Sequence, residues 1–386
     1  MTRAFQAVVH KKPKSRNPAP KVRASQRKHG GHRVVSLKQL ANHLGLSPAT
    51  VSVVINRSPV ADAISQQTKS LILAAARKFN YRPNFFARSL RTQRSLTIGV
   101  LVPEVSDGYA TTVLSGIEDD LLSAGYFYFV ASHRHRADLI DEYPRLFLDR
   151  AVDGIIAVDT PWRHKLRVPV VTVSGHNEAP GVVNVVLDHE LAANVALKHL
   201  VGLGHRNIAF IKGQAFSSDT EVRWNAILAA SSQLGVCVSA KLTVQLEGTE
   251  ASPRLGYEVT TALIKSRQPF TAVFAFNDIS AMGAIRALRE SGLRVPEDVS
   301  VVGFDDIPSA AYQNPGLTTV RQPLRKMGTI AAETVLRLIR SGSARPTMKQ
   351  IVVAPELIVR ETTRARTPAA EKTSRAEEPG ATGAGS

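Results

Sequence analysis

Polar and apolar positions along the chain fall into two rhythms. From Val34 to about Tyr81 apolar residues recur at helical spacing in short bursts. Ser36-Leu37-Lys38-Gln39 reads as a capping box, Leu37, Leu40, Ala41 and Leu44 follow as one stripe, and Gly45 supplies a left-handed stop. Ser47 then caps a second helix, with Pro48 at its first position and Val51, Val54 and Ile55 as its buried stripe. A third helix is predicted from near Ser65, turning Leu71, Ala74, Ala75 and Phe79 inward. Only Gly45 and Leu46 separate the first helix from the next cap, so the pattern predicts a helix-turn-helix unit.

Beyond Arg94 the rhythm changes to short β runs alternating with amphipathic helices. The runs Thr97–Val102, Tyr126–Ala131, Gly154–Val158, Pro169–Val173, Val182–Val186, Ile208–Lys212, Ala272–Phe276 and Val299–Phe304 are rich in Val and Ile. Helical stretches such as Ala110–Ser123, His189–Val201, Thr220–Leu234 and Ile279–Ser291 lie between most of them. Such alternation predicts parallel sheets covered by helices on both faces. So many strands exceed one compact sheet, which predicts two doubly wound α/β subdomains with a ligand cleft between them.

Charge sharpens this division. Of the 49 Lys and Arg, 19 lie between Met1 and Ser95, where Asp62 is the one acid; the remainder is close to neutral. A basic head on a neutral body points to an anionic polymer bound at one end, nucleic acid before a membrane surface. No apolar run is long enough for a spanning helix and the first thirty residues lack a signal peptide's apolar stretch, so neither insertion nor secretion is expected. A single cysteine, Cys237, forms no internal disulfide and fits the cytoplasm. Residues 1–33, with ten Lys and Arg and no acid, and residues 364–386 are expected to be disordered tails.

The second helix presents Pro48, Ala49, Thr50, Ser52, Val53 and Asn56 away from its stripe, behind the cap at Ser47. Short side chains near a helix N-terminus let the backbone sit deep in a major groove, where hydroxyls meet base edges or phosphates. The stretch Asn80–Ser95 mixes Arg88, Arg91 and Arg94 with Phe86 and Leu90 in two turns too short to be stable alone, as expected of a segment that orders against a partner.

From about Val34 to Thr363 the chain resembles transcriptional regulators of the lactose/galactose repressor (LacI/GalR) family. The resemblance rests on Val35-Ser36-Leu37 through Gly45-Leu46-Ser47-Pro48-Ala49-Thr50-Val51-Ser52, Asn80-Tyr81-Arg82-Pro83-Asn84, Ser95–Val100 and Asp153-Gly154-Ile155-Ile156. It continues through Gly204–Phe210, Phe276-Asn277-Asp278 and Val301–Asp306. It implies a helix-turn-helix domain at 34–82, a hinge helix and linker at 83–95, and an effector-binding and dimerisation body of two periplasmic-binding-protein-type subdomains at 96–363. It further implies a homodimer on a pseudo-palindromic double-stranded operator. Asn84, Ala87 and Arg88 would then enter the minor groove in paired hinge helices, with Leu90 wedging open the central step.

Effector contacts carried over singly are Arg223, Asp305 and Asn277, with Ser106, Tyr109 and Gln322 from cleft-facing loops. A structural salt bridge is the plain alternative for Arg223 and Asp305. Three departures matter: Val53 stands where the family often has a guanine-reading Arg, Ala226 where it has Gly, and Ser174 where sugar-binding members often carry an acid.

No catalytic motif, cofactor loop or metal set is expected. His133 and His135 have no carboxylate or thiol at ligand spacing and read as surface residues, and Gly202–Asn207 lacks the third glycine of a dinucleotide fingerprint. Asp305 and Asp306, adjacent on a strand end, point different ways. The expected function is therefore a cytoplasmic, non-enzymatic repressor whose operator affinity responds to a small, sugar-like effector. The competing reading is a sugar-binding transport component.

Overall fold

The computed structural model describes residues 35–56, 58–81, 89, 94–106, 108–176, 179–342 and 348–366. Chain contacts divide it into a head, residues 1–84, and a body, residues 85–386, each taken by itself below. Residues 1–33, the hinge-helix candidates Asn84, Ala87, Arg88 and Leu90, and residues 367–386 lie outside the described residues.

In the head, α1 (Leu37–Leu44), α2 (Pro48–Ile55) and α3 (Gln66–Lys78) close over Leu40, Ala41, Val51, Val54, Ile72 and Ala75. The Ser36 hydroxyl accepts the Gln39 amide and the Gln39 side chain accepts the Ser36 amide, so two of the amide donors at the start of α1 are met. Gly45 ends the helix at φ 64°, where a β-carbon would be strained. The expected stripe of α3 is corrected at two positions: Leu71 is 53% exposed and Ala74 is also exposed, while Ala75 and Phe79 face the core as expected, joined by Ile72 and Ala76. Ile72, Ala75, Ala76 and Phe79 form an equally regular i, i+3, i+4, i+7 stripe, and packing against α1 and α2 selects it.

The body holds two six-stranded sheets. The first is built from β1 (Thr97–Val102), β2 (Phe127–Ser132), β3 (Gly154–Val158), β4 (Val170–Val173), β5 (Val182–Leu187) and β11 (Gln350–Val353), in the order β11-β5-β4-β3-β1-β2 and parallel throughout. The second contains β6 (Ile208–Lys212), β7 (Thr243–Gln245), β8 (Ala272–Ala275), β9 (Ser300–Asp305), β10 (Thr318–Arg321) and β12 (Glu356–Ile358), ordered β12-β10-β9-β8-β6-β7. Only β12 runs antiparallel to its neighbour. Strands β1, β3, β4, β5, β8 and β9 are buried along their whole length, as a sheet covered on both faces requires.

The covering helices are α4 (Tyr109–Ser123), α5 (Ala137–Asp149), α6 (His189–Gly202), α7 (Ser218–Gln233), α8 (Pro253–Lys265), α9 (Asp278–Glu290), the short α10 (Pro308–Ala311) and α11 (Leu324–Ser341). The chain crosses between the subdomains after β5, after β10 and after β11, and α11 returns to pack on α4. That contact is backbone-close because both helices place glycine there: a β-carbon on Gly116 would lie 1.9 Å from the Arg325 carbonyl oxygen, and one on Gly328 2.1 Å from that of Val113. Arg364 and Arg366, expected in a disordered tail, are tied down instead, their amides donating to the Ser300 hydroxyl and the Leu203 carbonyl. Among the described residues no helix is long and apolar enough to cross a membrane.

Candidate functional site

Both sheets turn the carboxyl ends of their strands toward one cavity of about 110 Å³, the position a doubly wound fold offers a ligand. Asp159 follows β3, Asp305 ends β9, Asn277 caps α9 beyond β8, and Asp219 and Arg223 project from the first turns of α7. Asp159 (φ 39°), Ser174 (φ 54°), His176 (φ 47°) and Asp305 (φ 109°) all hold left-handed backbone. Strain of this kind persists where surrounding structure enforces it, and it gathers at binding sites.

Arg223 lies at the centre. Its guanidinium carbon sits 3.7 Å from the centroid of Phe304 and 4.5 Å from that of Phe276, and the residue is 3% exposed. Nη1 donates to the Phe276 carbonyl at 2.5 Å and Nη2 to Asp219 at 3.0 Å, whereas the buried Nε has no protein acceptor. Asp219, not Asp305, is therefore the ion-pair partner of Arg223. Burial would raise the Asp219 carboxyl, but His189, His176 and Arg223 outweigh it and hold that group well below the usual range. Asp305 is shielded from water and pushed up to about 7, although Arg223 and a 2.6 Å hydrogen bond from Gln322 Nε2 oppose the shift. Asp159 also rises to about 7 through burial and the nearby Asp219 charge. Tyr109 donates to the Ser174 hydroxyl at 2.7 Å; burial and the charges of Asp219 and Asp159 push its phenol well above its ordinary value.

Several bonds span the cleft. Glu104, beyond β1, accepts from the Ser106 hydroxyl at 2.9 Å and from the Ala251 amide at 3.1 Å across the gap. Asp159 accepts from the Ser218 hydroxyl at 2.8 Å, and His176 reaches Asp219 at 2.5 Å. The two halves are thus held together in a closed arrangement.

Of the six cleft residues singled out from the sequence, Ser106, Tyr109, Arg223, Asn277 and Asp305 line this cavity, and Gln322 stands behind Asp305. Asp306 turns away to Arg321 and Arg360. Sequence reasoning missed Asp159, Asp219, His176, His189, Phe216 and Phe276, which are not adjacent in sequence and meet only through the sheet order. The surface reading of His133 and His135 is corrected. His133 is 1% exposed with its pKa lowered to about 4 by burial, bonded to Thr160 at 3.0 Å; His135 packs on Phe216 at the cavity wall, ring centroids 4.0 Å apart.

On the head, Ser47, Pro48 and Ala49 are exposed at the start of α2, with Thr50 and Ser52 half-buried beside them. The Ser47 hydroxyl accepts the Thr50 amide at 3.0 Å, and the Asn56 side chain donates to the Ser52 carbonyl and hydroxyl at 2.8 and 3.1 Å. Val53, expected to face outward, is corrected: it is half-buried and packs on the head's core, because four apolar positions crowd this eight-residue helix.

Residues 36–84 match the lacI family of bacterial regulatory proteins, and residues 197–363 match the periplasmic binding protein-like domain. The HTH-type transcriptional repressor PurR of Aliivibrio fischeri strain MJ11 is 30% identical over 315 residues, spanning 80% of this chain and 92% of the relative. The lac repressor dimer bound to operator and the anti-inducer ONPF is similar in structure, with a TM-score of 0.73, 26% identity, and coverage of 86% of this chain and 99% of that one. The complex of the transcriptional regulator CelR with cellobiose has a TM-score of 0.63 at 26% identity, covering 85% and 99%. Joined to the helical head and the paired parallel sheets, these likenesses show that the chain belongs to the LacI family of DNA-binding transcriptional regulators.

Proposed function

We propose that this chain is a cytoplasmic, homodimeric, non-enzymatic repressor that binds pseudo-palindromic operator DNA through the exposed start of α2 and releases or grips it according to a small polyhydroxylated molecule in the body cleft. Ser47, Pro48, Ala49 and Thr50 are the part of α2 free to approach a major groove, with Ser52 and Asn56 behind them. Because Val53 leans on the core, base reading falls to the first turn.

The observation that carries the effector reading is the Arg223 Nε–H, a buried charged donor without a protein acceptor in the cavity wall. Leaving such a donor unpaired costs about 1–3 kcal/mol or more, and a ligand hydroxyl oxygen on the cavity floor removes that cost. Carboxylates at Asp159 and Asp305 accept from further hydroxyls, while Phe216 and Phe276 offer apolar faces to a sugar ring. The similar regulator bound to cellobiose agrees with this chemistry. A basic helix-turn-helix head favours this reading over a transport component, which has no use for one.

Operator DNA recovered by selection from random sequence and titrated with and without neutral sugars tests the proposal. One sugar should change operator affinity by about 5–150-fold, the range of a coupling worth 1–3 kcal/mol. Absence of any sequence-selective DNA binding overturns it.

A further inference from the structure

Beside the effector cavity, His176, His189 and Asp219 form a group that the effector reading does not use. Each offers one ligand atom, and these atoms all lie within 4.8 Å of one another, the one such group among the described residues. His176 Nε2 is 2.5 Å and His189 Nε2 3.4 Å from the same oxygen, Asp219 Oδ1. His189 is 4% exposed, and neither of its ring nitrogens has a hydrogen-bond partner. Two imidazoles thus converge on one carboxylate oxygen, and one of them is buried without satisfying either nitrogen.

From this convergence we infer that His176, His189 and Asp219 bind a divalent transition-metal ion, zinc by ligand type, which staples the two halves of the body across the cleft. Nitrogen and carboxylate ligands suit zinc, with Zn–N and Zn–O near 2.0–2.2 Å; tetrahedral ligands then stand ~3.3 Å apart. The His189–Asp219 separation of 3.4 Å already has that value, the His176 ring has to withdraw by ~0.8 Å from Asp219, and the three ligand atoms, now within 4.8 Å of one another, have to draw together around the ion. Asp219 turns Oδ2 to Arg223 at 3.0 Å, which orients the carboxylate and leaves Oδ1 for the ion.

Topology supplies the consequence. His176 follows β4 of the first sheet, whereas Asp219 belongs to α7, which packs with α6, the helix opened by His189, on the second. A metal held by all three favours the closed arrangement. The fourth position belongs to water or an effector oxygen.

The test uses metal-stripped full-length protein titrated with zinc by calorimetry and with cobalt by visible absorption. The parent should bind one equivalent per protomer, give the ligand-field bands of low-coordinate cobalt, and gain melting temperature on zinc addition. His176→Gln, at a half-buried position, and His189→Gln should each weaken binding at least 100-fold and lose the cobalt bands and the zinc-dependent stabilisation. If His189→Gln fails to fold, His176→Gln decides alone. Parent protein that takes up no zinc, or a folded His176→Gln variant that binds it as well as the parent, overturns the inference. In the first case the group is a hydrogen-bonded carboxylate, and in the second the metal sits elsewhere.

Discussion

Asp305→Asn separates ligand chemistry from stability more cleanly than any change at Arg223, because the amide keeps the shape and the acceptor that Gln322 uses. Asp305 is 5% exposed, and its folded pKa, about 7, lies above the ordinary 3.8. Being raised, it supports the fold fully below pH 3.8, and that support is withdrawn progressively as pH rises through about 7. Between pH 5 and about pH 7 the folded carboxyl keeps a proton that the unfolded chain has already lost, ~2–3 kcal/mol at 1.36 kcal/mol per pH unit. Asparagine carries no such penalty. The stability of the variant relative to the parent should therefore grow by ~2 kcal/mol over that interval, since Asp159 titrates in the same range and keeps part of the repulsion in the parent and the variant alike. At 2–4 °C per kcal/mol, this is a relative gain of ~4–8 °C in melting temperature. Thermal unfolding of both proteins at pH 5 and pH 8 reads it. Operator affinity should stay within a few-fold, while effector affinity falls ~10–100-fold through loss of a charged acceptor worth 1.5–3 kcal/mol. A stability difference that is flat or shrinks with pH refutes the electrostatic account of Asp305. An undiminished response to effector refutes its place in the site.

Other expectations follow from the same geometry. Gly116→Ala should lower stability by ~3 kcal/mol, because the new methyl meets the Arg325 carbonyl oxygen at 1.9 Å and backbone cannot step aside; Gly202→Ala, with nothing within 4 Å, should be near neutral in the same denaturant titration. Ser47→Ala removes the cap of α2 and should cost the head ~1 kcal/mol and weaken operator binding, as followed by circular dichroism and gel shift. Operator affinity should drop ~10³-fold or more between about 50 and 200 mM salt if six or more phosphates are contacted, whereas a fragment from Leu96 onward should bind no DNA at all.

Much of this architecture was legible because it is local. Capping residues announced α1 and α2, and continuous Val and Ile runs announced β1, β3 and β6 with the bounds they adopt. The phase of α3 was not, since Leu71 and Ile72 are both apolar neighbours and only packing decides which turns inward. Strands β7, β10, β11 and β12 escaped because three or four residues carry too little period to read. In the cleft, Arg223, Asp305 and Asn277 came from likeness to a family. Asp159, Asp219, His176 and His189 carry no local signature; parallel sheet order alone brings the loops after β3 and β4 to the first turns of α6 and α7. Val53 looked outward-facing because a helix of eight residues with four apolar positions leaves the direction of its third face undetermined.

The central claim is that cleft occupancy sets operator affinity. Its most direct test is fluorescence anisotropy on labelled selected operator at fixed salt, with parent and Asp305→Asn proteins titrated by the sugar that most raises the parent's melting temperature. The account predicts that this sugar shifts the parent's operator affinity at least five-fold and leaves that of the variant unchanged at the same concentration. A sugar that binds and stabilises the parent yet leaves its operator affinity unchanged would contradict the claim.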